Sequence, residues 1–65
     1  MGYEILSLSE TRRAIRCASG VTVHVVLDRA EGTWTVEEDP EHHRFLEWCQ
    51  ALDRAREVGK DPEFR

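Results

Sequence analysis

Sixty-five residues limit the chain to one small domain, a size that buries only about 60% of the surface its unfolded chain exposes. Apolar residues at 40% and charged residues at 34% exclude a disordered segment. A net charge of −4 disfavours nucleic acid as the main partner, because neutralising phosphates takes a basic face.

Residues 3–8 read as a first strand, apolar on both faces, and Ser9-Glu10 as the turn after it. That two-residue turn directs Leu6 and Leu8 to the core and leaves Tyr3 and Ile5 outside. Residues 11–18 form a second strand with Ile15 and Cys17 at alternate positions. The clearest strand is 21–28, with Val21, Val23, Val25 and Leu27 on one face and Thr22, His24 and Val26 on the other. A three-residue Ala18-Ser19-Gly20 loop sets Ile15 opposite Val23 and Arg13 opposite Val25, which gathers the apolar side chains on one face. Residues 29–32 close a second hairpin, and residues 33–37 return with Trp34 and Val36 on one face.

At Asp39-Pro40-Glu41 the period changes from two to 3.6. Asp39 suits a helix cap, Pro40 the first helical position and Glu41 the positive end of the macrodipole, which predicts one helix over residues 40–58. Its apolar stripe is Phe45, Trp48 or Cys49, Leu52 and Ala55, and Gly59 ends it. Trp34 and Trp48 are expected as core anchors from sheet and helix. The fold class that follows is α+β: a small antiparallel four-stranded β-meander with one C-terminal amphipathic helix packed on one sheet face, ββββα. The domain spans residues 1–60, with 61–65 as a tail.

Cys17, His24, His42, His43 and Cys49 are the residue types that zinc prefers, but neither C-x-x-C nor H-x3–5-H spacing is present. Cys17 and Cys49 are expected in the core as reduced thiols. The start Met1-Gly2-Tyr3-Glu4 lacks the features of a secretory leader. No apolar run approaches membrane-spanning length, so the expected location is the cytoplasm. His42 and His43, expected at a helix start, lack a cleft, Ser7, Ser9 and Ser19 lack a nucleophile elbow, and no glycine loop cradles phosphate. No catalytic residue, metal or cofactor is assigned.

Two surfaces remain. Tyr3, Ile5, Ala14 and Val26, beside Arg12, Arg16 and His24, form an open sheet face that one helix leaves uncovered. Glu37, Glu38, Asp39 and Glu41 form an acidic edge within residues 31–65, which net −5, whereas residues 1–30 net +1. The functional expectation is a non-enzymatic protein-interaction module, such as an inhibitor of a larger assembly of the kind mobile elements encode, meeting a basic partner surface through its acidic edge. Two alternatives stand beside it. One is a homodimeric accessory protein joined through the open face, and the other a weak nucleic-acid binder using the arginines of strand two.

Overall fold

In a computed structural model that describes residues 2–62, valine alternation organises the sheet around its third strand. The elements are β1 (Glu4–Ser7), β2 (Arg12–Arg16), β3 (Thr22–Asp28), β4 (Thr33–Val36), β5 (Arg44–Phe45) and α1 (Trp48–Val58). The strands lie in the order β1-β2-β3-β4-β5, each antiparallel to its neighbour, and α1 packs on one face. No helix among the described residues is long and apolar enough to cross a membrane.

The sheet supplies Ile15, Val23, Val25 and Val36 to the core, all fully buried, and α1 supplies Ala51 and Ala55. Trp34, Phe45, Trp48, Leu52 and Val58 pack around this cluster. Trp34 and Trp48 meet at 5.1 Å between ring centroids, and the Arg13 guanidinium lies over both rings. Each tryptophan is therefore half-buried, with a cation covering the pair.

The β2–β3 register follows the three-residue loop. Ile15 faces Val23, Arg13 faces Val25, and the Cys17 N–H donates to the Val21 carbonyl at 2.9 Å. Gly20 has φ +94°, in the left-handed region that L side chains rarely adopt.

Strand β1 departs from the expected register. Leu6 faces Ala14 and Ile5 faces Ile15, and the Leu8 and Ser9 amides both reach the Arg12 carbonyl. The turn therefore spans Ser9-Glu10-Thr11, one residue more than the two-residue turn. A one-residue slip exchanges the faces. Ile5 and Tyr3 thus lie on the helix side, where the Arg56 guanidinium covers the Tyr3 ring at 4.2 Å, and Leu6 moves to the outer face.

The helix is shorter than its periodicity predicts. Residues 40–47 hold a turn and β5, with Phe45 opposite Trp34, and α1 begins only at Trp48. Asp39 does cap backbone: its carboxylate accepts from the Glu41 and His43 amides. It caps a single turn, because the same carboxylate is held by Arg54 and Phe45 gains more by pairing with the sheet. This shift rotates Cys49 out of the core. Cys17 is buried, Cys49 is exposed, and both are free thiols.

Asp61, expected in a tail, belongs to the fold. It is buried, accepts from the Arg56 Nε at 2.9 Å, and its amide donates to the Arg56 carbonyl. The remaining tail positions 63–65 lie outside the described residues.

Candidate interaction surface

The sheet face opposite α1 is built in rows by strand register. Glu4, Arg16 and Thr22 form one row, Leu6, Ala14 and His24 the next, and Arg12, Val26, Thr35 and Arg44 the third. Directly opposed residues share a face, so Leu6, Ala14 and Val26 make an apolar strip across three strands. Leu8, following β1, extends it. Ala14 is buried beneath its neighbours, whereas Leu6, at 36% exposure, and Leu8, at 53%, remain accessible.

Ion pairs flank and cross the strip. Arg12 makes a two-pronged contact with Glu37, Nη1 to Oε2 at 2.9 Å and Nη2 to Oε1 at 2.7 Å. Arg16 reaches Glu4 at 3.2 Å and Arg44 reaches Glu31 at 2.8 Å. Glu38 takes the His24 backbone N–H at 2.8 Å and contacts the His24 Nδ1 at 2.7 Å. Burial raises the Glu38 carboxyl, but the His24 ring and backbone hydrogen bonds outweigh it and hold the group below the ordinary range.

Of the expected open-face residues, the structure gathers Arg12, Ala14, Arg16, His24 and Val26. Tyr3 and Ile5 leave the set through the β1 register, and Leu6 replaces them. Periodicity carried no signal for this exchange, because β1 is apolar on both faces.

The expected acidic edge is not a continuous anionic patch. Glu37 and Glu38 are occupied by Arg12 and His24. Asp39 is fully buried, so it cannot touch a partner, and its role is structural. Glu41 stays exposed, 3.1 Å from the His43 Nε2 and 3.8 Å from the Arg54 Nη2. Arg12 and Arg16 are likewise engaged, so phosphate binding there means giving up existing pairs.

Ligand-capable groups assemble where spacing did not point. His24, Glu37 and Glu38 offer atoms within 4.8 Å of one another, brought together by the Glu37 N–H bond to the His24 carbonyl. Both carboxylates already hold protein donors. Cys17, Cys49 and His42 form no common site: Cys17 is buried under Gly59, and Cys49 and His42 are exposed. A shallow depression of about 330 Å³ lies between Gly2, Tyr3, Glu4, Arg16 and Cys17. Burial and the nearby Asp61 charge push the Cys17 thiol up, against the Arg56 charge, so it stays protonated near neutrality.

Comparison of the chain with protein-family models, curated proteins and solved structures finds no match.

Proposed function

We propose that this chain is a non-enzymatic protein-interaction module that receives its partner on the sheet face opposite α1. One observation carries the reading: accessible Leu6 and Leu8 and half-buried Val26 share one face with Ala14, and the Arg12–Glu37, Arg16–Glu4 and His24–Glu38 pairs lie among and beside them, Arg12 standing between Leu8 and Val26. Exposed leucines interleaved with arginine and ion pairs are the composition of a protein contact surface. The excess negative charge of residues 31–65 favours a partner with basic character, through long-range attraction rather than a dedicated acidic edge.

A photo-crosslinker at Val26, compared with one at the exposed Asp53 on α1, tests the surface. The expected result is a protein crosslinked from position 26 and not from position 53. Its measured affinity for the chain then falls at least about tenfold in Leu6→Ser with Leu8→Ser, as loss of central contacts does. A partner captured equally from both positions, or bound unchanged by the double substitution, overturns the proposal.

A further inference from the structure

We propose that two copies of this chain join antiparallel through their β1 edges, forming a closed two-fold dimer with one continuous sheet. Among the described residues the two edges of the sheet are β1 and β5. Strand β5 has two residues, and its Arg44 is tied to Glu31, so it offers little template for a further strand. Strand β1 has four, all exposed, with neither the proline nor the lysine that commonly blunts an edge.

The hydrogen-bond phase of β1 fixes which groups face outward. The Leu8 N–H donates to the Arg12 carbonyl, so the bonded pairs with β2 fall at Leu8, Leu6 and Glu4. The N–H and C=O groups of Ile5 and Ser7 therefore point away from the sheet, where a new strand would take them.

Symmetry selects the occupant. A β1 edge meeting a β5 edge propagates head to tail, and the short β5 cannot sustain it. A β1 edge meeting itself closes after two copies. Same-face pairing allows Ile5 opposite the partner subunit's Ile5, or Leu6 opposite the partner subunit's Leu6. Glu4 then stands across from a leucine and never from another Glu4, so no like charges oppose. Either register gives Ile5 and Leu6 a neighbouring strand at their side while leaving the outer face open, and both place the two helices on one side of the joined sheet. The outer faces then lie side by side as two equal binding surfaces. The dimer does not depend on what those faces bind.

Light scattering across a dilution series, with amide hydrogen exchange at its two ends, tests the pairing. The expected result is a mass that doubles with concentration, while Ile5 and Ser7 exchange slows at least tenfold. Leu6 exchange, governed by β2, changes far less. Ser7→Pro removes one outward N–H, spares every β1–β2 bond, and should lose the doubling. Should that variant not fold, wild-type exchange decides. A monomer throughout, assemblies growing beyond two copies, a dimer with Ile5 and Ser7 unprotected, or a folded Ser7→Pro that still dimerises overturns the proposal.

Discussion

Asp39 and Arg54 form an ion pair at 2.7 Å in which the carboxylate is wholly excluded from solvent. The same carboxylate caps the Glu41 and His43 amides, so one side chain holds the β4–β5 connection against the middle of α1. Removing the Asp39 charge leaves the largely buried Arg54 with only the exposed Glu57 and Glu41 as counter-charges. Asp39→Asn is expected to cost about 3 kcal/mol, a large share of the stability of so small a domain. Urea unfolding measures it, and a loss under about 1 kcal/mol, the range of surface pairs, contradicts the buried pair.

Acid sensitivity follows from the same residue. The Arg54 hydrogen bond holds the Asp39 carboxyl well below its ordinary value; burial opposes this, and the two backbone amides assist. A depressed folded pKa means that the unfolded chain takes up the proton first. Stability from this group is present above an unfolded value of about 3.9 and is lost as pH falls towards the folded one. Wild-type stability should decline below about pH 4, and Asp39→Asn should flatten that decline. Unfolding free energies between pH 7 and pH 2 check this, and an equally steep slope in the variant assigns it to other groups.

Gly59 presses on Cys17. A β carbon there overlaps the Cys17 Sγ and comes within 3.1 Å of the Val23 Cγ2, although φ at −77° suits any residue. The need for glycine is steric. Gly59→Ala should cost about 1–3 kcal/mol, and adding Cys17→Ala should recover part of it. Denaturation midpoints for the wild type, both single variants and the double close the cycle. Strict additivity denies the contact.

The two thiols should differ in kind. Cys49 is exposed and Cys17 is buried, with its pKa raised first by burial. A disulfide-exchange reagent should modify Cys49 within the mixing time in the native protein. Cys17 should react only as fast as the domain opens, accelerating with urea. Rapid reaction of both thiols means that the Gly59 contact opens locally.

Strands β2 to β4 were legible because each carries apolar residues at alternate positions, and Gly20 marks the loop between two of them. Strand β1 was misphased for want of that contrast: Tyr3, Ile5, Leu6 and Leu8 read equally well on either face. The helix start was misplaced because Asp39-Pro40-Glu41 is a true capping signal used for one turn only. What overrides it is the pairing of Phe45 with Trp34 and of Asp39 with Arg54, contacts between residues far apart in sequence. The surface was half legible for the same reason. Arg12, Ala14, Arg16, His24 and Val26 come from the well-phased strands, whereas exposed Glu37 and Glu38 meet their partners only across the β3–β4 pairing.

The fully buried positions on the α1 side of the core are Ala51, Ala55 and, one turn on, Gly59, against isoleucine and valine from the sheet. This asymmetry sets different evolutionary freedoms for the two layers. Positions 15, 23, 25 and 36 can exchange volume among themselves, one neighbour shrinking as another grows. Positions 51 and 55 can lose only a methyl group and position 59 nothing, so drift there runs mainly through the residue opposite, and 17 and 59 should change together.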